Sequence, residues 1–142
     1  MTRLLAIDPG VRATGWAHFV DARLVACGCW TASGLQAMIA EVRMVHADWK
    51  TIHAPTSNYH TIVERPQVYN QRKWKGDPND LVGVALVAGA VAALFPPADF
   101  VLPHSWKGSA PKNVIEKRVR EALSKEETDI VGKARHDVWD AV

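Results

Sequence analysis

Apolar residues recur along the 142-residue chain in two rhythms. Leu4 to Asp8, Thr14 to Val20 and Leu24 to Trp30 are short apolar or alternating runs, which predicts three consecutive strands. Asp21-Ala22 predicts a tight hairpin between the second and third. Ser33 offers an N-cap for a helix over 35–47, with Leu35, Met38, Ile39, Val42 and Val45 at helical spacing. A fourth strand in "YHTIVERP" ends near Glu64, where Pro66 stops it. "DPND" opens a long apolar helix, with Asp77 as the cap, Pro78 at the first helical position and Asp80 near the positive end of the dipole. Phe95-Pro96-Pro97 closes it. "DFVLP" is a fifth strand, and "SAPKNVIEKRVREAL" an amphipathic helix with Ile115, Val119, Ala122 and Leu123 on its buried side. Ser124 to Glu127 has the spacing of a capping box, and "ARHDVWDAV" closes the chain.

An opening meander followed by alternating helices and strands predicts a mixed α/β sheet. A right-handed crossover through the first helix makes the fourth strand parallel to the first. The length suits one domain over 1–142, without repeats, low-complexity tracts or linkers. An apolar content of 48% argues against disorder. Asp8 and Pro9 interrupt the first apolar stretch, so it does not read as a secretory leader. The longest apolar run, Leu81 to Phe95, is shorter than the roughly 20 residues that span a bilayer. These features predict a cytoplasmic protein. Cys27 and Cys29 are expected on one strand face with Val25; with no second cysteine pair to complete a zinc site, they read as buried reduced thiols.

Charge sharpens the picture through its distribution, since the net value is only +2. Arg65, Arg72, Lys73 and Lys75 form one basic stretch, and Lys107, Lys112, Lys117, Arg118 and Arg120 another. Each alone could be a solvated face; two beside an acidic site point to contacts with a phosphate backbone. The acids are Asp8 and Glu64, each ending a buried strand, and Asp137 and Asp140, spaced i and i+3 in "HDVWDAV" behind His136. Parallel neighbouring strands lie about 4.8 Å apart, so Asp8 and Glu64 would meet at the carboxyl end of the sheet, where open α/β sheets bind ligands. Carboxylates that close repel unless a cation lies between them. All-oxygen donors favour Mg²⁺ or Mn²⁺ over zinc. Singly, each acid also fits a turn, a dipole partner or a surface position.

"IDPGVRATGWA", "IVERPQVY" and "HDVWDAV" resemble the three acidic motifs of the RuvC-type Holliday junction resolvases, within the RNase H-like superfamily. "KGDPNDLVGVALVAGAVAA" and "WKGSAPKNVIEKRV" resemble flanking segments of phage-encoded relatives, so the likeness covers nearly the whole chain. It implies a five-stranded sheet of order 3-2-1-4-5 with strand 2 antiparallel. It also implies Mg²⁺-dependent endonuclease activity on four-way DNA junctions, by two-metal hydrolysis leaving 5′-phosphate and 3′-hydroxyl ends. Asp8, Glu64, Asp137 and Asp140 would hold the two ions, Mn²⁺ being able to replace Mg²⁺, with His136 at the catalytic centre. Arg65, Tyr69, Arg72, Lys73, Trp74, Lys75, Lys107, Lys112 and Lys117 would contact branched DNA, with Lys107 and Lys112 nearest the scissile phosphate. Tyr69 or Trp74 could stack on an unpaired base; Trp74 could equally be covered by its neighbouring lysine stems. A homodimer through the helix over 79–95 is implied, although that helix also reads as core. In the family the last helix continues beyond its final acid, whereas here only two residues follow Asp140, which makes its packing marginal. A sister nuclease acting on flapped DNA or RNA:DNA hybrids is the first alternative, and a non-catalytic nucleic-acid-binding module the second. An actin-like ATPase would need a chain more than twice as long.

Overall fold

The computed structural model of the chain describes residues 1–53, 59–68, 77–132 and 136–142, the side chains of residues 50–53, 106, 136 and 137 excepted. Five strands form one sheet: β1 (Arg3–Asp8), β2 (Ala13–Val20), β3 (Arg23–Thr31), β4 (Tyr59–Glu64) and β5 (Ala98–Val101). Their order is β3-β2-β1-β4-β5, as expected. β2 runs antiparallel to β1 and β3, while β4 is parallel to both β1 and β5. The helices are α1 (Leu35–His53), α2 (Pro78–Leu94), α3 (Pro103–Lys107), α4 (Lys112–Ala122), α5 (Lys125–Val131) and α6 (His136–Ala141).

Side chains alternate across a strand, so β1 feeds two cores. Leu5 and Ile7 join Val63 of β4 beneath α1 and α2, where Met38, Val42, Val87, Val91 and Phe95 are buried. Each fully buried Val or Leu there is worth about 1.5–3 kcal/mol against exposure. Trp16, Trp30 and Phe95 extend this layer, with ring centroids 6.2 Å apart for Trp30–Phe95 and 6.4 Å for Trp16–Trp30. The opposite face carries the smaller cluster of Ala17, Leu24, Val131, Val138, Trp139 and Ala141, with Ala6 packed against it.

The turns and caps follow the local chemistry. Asp21 and Ala22 have φ of 48° and 63°, the left-handed pair that matches strand twist in a two-residue hairpin. The Asp21 carboxylate accepts from the Thr2 backbone N–H at 2.7 Å and ties the hairpin to the start of β1. Asp77 caps α2, its carboxylate accepting from Asn79 N–H at 2.9 Å, with Pro78 in the first turn. Ser124 and Glu127 form the reciprocal capping box of α5.

Four local expectations need correction. Helix α1 runs to His53 rather than stopping near 47, because Trp49 prolongs its apolar face and is buried in the same core. Val25 does not share the face of Cys27 and Cys29. A bulge between His18 and Phe19 pairs Phe19 with Leu24 and His18 with Ala26, so Leu24 takes the inner position and Val25 is exposed. Cys27 and Cys29 form no disulfide and pack at the margin of the smaller core rather than being fully buried, and partial burial raises the Cys27 pKa. Ala122 is exposed, since Ile115 is the buried residue of α4. The five-residue helix α3, in the chain after β5, was not anticipated.

Candidate active site

The site begins where β1 ends. Gly10 turns the chain away from Asp8, and a Cβ there would overlap the Ala13 carbonyl oxygen. The Thr14 hydroxyl accepts from Gly10 N–H at 3.1 Å and donates to Gly10 C=O at 2.9 Å, so the turn is braced by the start of β2. On its outer side the loop meets α2 at Gly83, where a Cβ would lie 2.9 Å from Val11 Cγ2. A side chain at Gly83 would force helix and loop apart.

Ile7 pairs with Val63 in parallel register, which sets Asp8 and Glu64 side by side where β1 and β4 end. This is the juxtaposition expected from the sequence. Helix α6 brings a third carboxylate. Val138, Trp139 and Ala141 are buried against the sheet, and Asp140 is left at the edge, its side chain only 10% exposed. His136 and Asp137 occupy the first two positions of the same helix, and their side chains lie outside those described.

Two lysines face these acids. Lys107, at the end of α3, places Nζ 2.7 Å from Glu64 Oε2 and 3.7 Å from Asp140 Oδ1. The approach to Glu64 has the geometry of an ion pair rather than of an aligned hydrogen bond. Lys112, the first residue of α4, lies 3.6 Å from Asp140 Oδ2 and is largely exposed. A single ammonium thus joins β4 to α6, and a second approaches from the solvent side. The position of Lys107 depends on α3, whose Pro103 at the first helical position was the one sequence sign of a helix there.

The other candidates divide cleanly. Arg65 is exposed one residue beyond Glu64, its backbone N–H held by Val101 C=O at 2.8 Å. Lys117 stands apart from the cluster, on the exposed side of α4, 3.7 Å from Glu121 Oε1. Tyr69, Arg72, Lys73, Trp74 and Lys75 lie outside the described residues. Glu64 and Asp140 also form the rim of a groove of about 670 Å³ that runs over Leu4, Ile62 and Val142. Its walls are mostly apolar, so the charged rim and not the groove suits a phosphodiester.

Among the described residues, no three Asp, Glu, His or Cys side chains are grouped closely enough to hold an ion by themselves. The donor chemistry nevertheless fits a hard divalent cation. Neighbouring strand-end carboxylates and a third near them call for positive charge, and Lys107 now supplies it.

No protein-family model and no curated protein sequence matches the chain. Solved structures do. A Thermus thermophilus RuvC in complex with Holliday junction substrate superposes with a TM-score of 0.69 at 20% identity, covering 99% of this chain and 88% of that one. A second T. thermophilus RuvC structure gives a TM-score of 0.63 at 19% identity, covering 98% of this chain and 88% of that one. The chain therefore has the fold of the RuvC-type resolvases, with the same sheet order and flanking helices.

Proposed function

We propose that the chain is a structure-selective endonuclease that cleaves four-way DNA junctions. The observation that carries this reading is the pairing of Asp8 with Glu64 at the carboxyl end of β1 and β4, with Asp140 linked to Glu64 through Lys107. A RuvC-like fold over 99% of the chain supports it, since the neighbour in that comparison is bound to a Holliday junction.

In this reading Asp8, Glu64, Asp137 and Asp140 hold two Mg²⁺ ions, and Mn²⁺ can replace them. The ions, when bound, supply an activated water and charge neutralisation for an in-line displacement that leaves 5′-phosphate and 3′-hydroxyl ends. The chain's own residues do the rest. Strand ends fix Asp8 and Glu64, so the donors are preorganised. His136, the first residue of α6, would orient the attacking water. Lys107 and Lys112 turn from the carboxylates toward the phosphate as DNA arrives, and Arg65 follows the backbone away from the cut. The segment from Tyr69 to Lys75, with Trp74 and the basic residues Arg72 and Lys73, meets the centre of the junction, where an aromatic ring can stack on an unpaired base. Lys117 contributes an outer phosphate contact.

Paired cuts in a four-way junction call for two sites related by a two-fold axis. Helix α2 is the proposed dimer contact: Val82 and Leu86, one turn apart, are 59% and 51% exposed. Among the described residues no helix is long and apolar enough to cross a membrane. The proposed place of action is on DNA in the cytoplasm.

The test is cleavage of a labelled four-way junction in Mg²⁺ beside a linear duplex and an RNA:DNA hybrid, with Asp8→Asn as the control. Paired junction cuts that vanish in the variant while junction binding persists are expected. Cutting confined to hybrids or flaps would keep the metal site and assign the chain to a sister nuclease. Binding without any cutting would favour a non-catalytic module.

A further inference from the structure

Helix α6 spans only six residues, too few to hold a helix without tertiary support. It nevertheless sets the position of Asp140. Its support on the sheet side is plain: Val138, Trp139 and Ala141 pack into the smaller core. The other side is held by an arrangement that the proposed chemistry does not use. The guanidinium carbon of Arg120 lies 3.9 Å from the centroid of the Trp139 ring. Its plane is fixed from behind, because Arg120 Nε and Nη2 both donate to Glu116 Oε1, at 3.1 and 2.8 Å. Glu116 and Arg120 are one turn apart on α4, so the clamp is built into a single helix. Trp139 is 2% exposed, held between the cation and the sheet, and Asp140 is the next residue.

We propose that Arg120 is a positioning residue: through the face of Trp139 it fixes α6, and so sets where the Asp140 carboxylate stands against Glu64. The same helix, α4, thus holds α6 twice, with Lys112 at its start on Asp140 and Arg120 in its last turn on Trp139. A planar, permanently charged guanidinium suits this role, since it stacks on an indole while its edge donates to a carboxylate. The proposal rests on Asp140 being a metal ligand, as the proposed function has it. It differs from a phosphate-contact role, in which Arg120 would act on DNA directly.

The experiment compares the intact protein with Arg120→Met and Arg120→Lys, and takes three readings at a temperature well below unfolding. Mn²⁺ affinity is measured by titration calorimetry, junction affinity by anisotropy in EDTA, and backbone amide exchange over 136–141 by mass spectrometry. In Arg120→Met, Mn²⁺ binding weakens about 10-fold, the lower end of what outer residues contribute to metal sites. Exchange over 136–141 speeds up, exchange in β1 and β4 does not change, and junction affinity is retained. Arg120→Lys keeps a cation near the ring but loses the planar stack and the two-nitrogen contact to Glu116, so Mn²⁺ affinity falls between that of Arg120→Met and the parent. Unchanged Mn²⁺ affinity in a destabilised Arg120→Met would overturn the proposal and leave Arg120 a merely structural residue. Weakened junction binding with intact Mn²⁺ affinity would overturn it in favour of a DNA contact. Failure of the parent protein to bind Mn²⁺ would overturn the metal reading itself, an outcome distinct from parent and variants binding equally well.

Discussion

Lys107 and Glu64 form a short ion pair, Nζ to Oε2 at 2.7 Å, with both side chains less than a fifth exposed. The same ammonium reaches Asp140, so it neutralises a cluster that would otherwise set carboxylates against one another. Removing the lysine takes that positive charge from Glu64 and Asp140 while both stay partly desolvated, with Lys112 still facing Asp140. Lys107→Met is therefore expected to lower the stability of the metal-free protein by about 1–3 kcal/mol. Urea denaturation in EDTA measures this. Repeating the titration in Mg²⁺ should recover most of the loss, because a divalent ion supplies the missing charge. An equal loss in both conditions would mean that Lys107 acts by packing alone.

Metal binding itself has a thermodynamic readout that needs no substrate. A ligand that binds only the native state stabilises it, by about 2.7 kcal/mol at 100 times its Kd. Mn²⁺ should raise the melting temperature of the parent protein and leave Asp8→Asn nearly unmoved. In EDTA the same variant should be as stable as the parent or slightly more so, since it removes one of two neighbouring negative charges. Its cleavage of junctions should fall at least about 100-fold, the scale seen when a group that stabilises transition-state charge is lost. A variant that keeps both the thermal shift and the cleavage would remove Asp8 from the site.

The strand ends were legible in the sequence because Asp8 and Glu64 stop apolar runs, and the crossover rule makes those strands neighbours. The caps at Asp77 and Ser124 were legible for a similar reason: the side chains that satisfy a helix end lie within three residues of it. What was hidden depends on contacts between distant segments. Nothing local marks Lys107 as the partner of Glu64, and the sequence offered it as a phosphate ligand; its place on the carboxylates follows from α3, a single turn of helix after β5. Val25 left its expected face because one bulge reverses the alternation of β3. Nothing local in the sequence marks Arg120 as the partner of Trp139, and only the fold shows that ring closed between Arg120 and the sheet.

That bulge gives Glu127 a second role and a pH dependence. One carboxylate oxygen caps α5 at Ser124 N–H, and the other accepts from Leu24 N–H at 2.8 Å, beside the bulge. These hydrogen bonds to the charged form lower its pKa, first that from Ser124 and then that from Leu24. A carboxyl whose pKa falls on folding contributes stability above its unfolded value, near 4.5, and loses that contribution as pH falls through the lowered folded value. Glu127→Gln should therefore reduce stability at neutral pH and narrow its gap to the parent protein as the solution is acidified below about 4.5. Urea midpoints from pH 7 to pH 3 supply the comparison. A gap independent of pH would mean that the ionised form is not what holds α5 to β3.

Helix α2 carries a conflict between two demands, and it yields the prediction that reaches furthest into function. Gly83, Val87, Ala88 and Val91 face inward, with Gly83 against the turn that follows Asp8. Val82 and Leu86 face outward on the same helix, where an isolated domain gains nothing from them. If that outer row is the contact between two copies, Leu86→Glu should convert a dimer to a monomer without unfolding the domain, because the side chain is half exposed. Sedimentation should show half the mass at equal melting temperature. The monomer should still bind Mn²⁺, since Asp8, Glu64, Asp137 and Asp140 all lie outside α2. Its junction products should change from paired cuts to single nicks, because one site can no longer act in step with another. A parent protein that already sediments as a monomer and still makes paired cuts would assign the row elsewhere and require two chains to meet only on the junction.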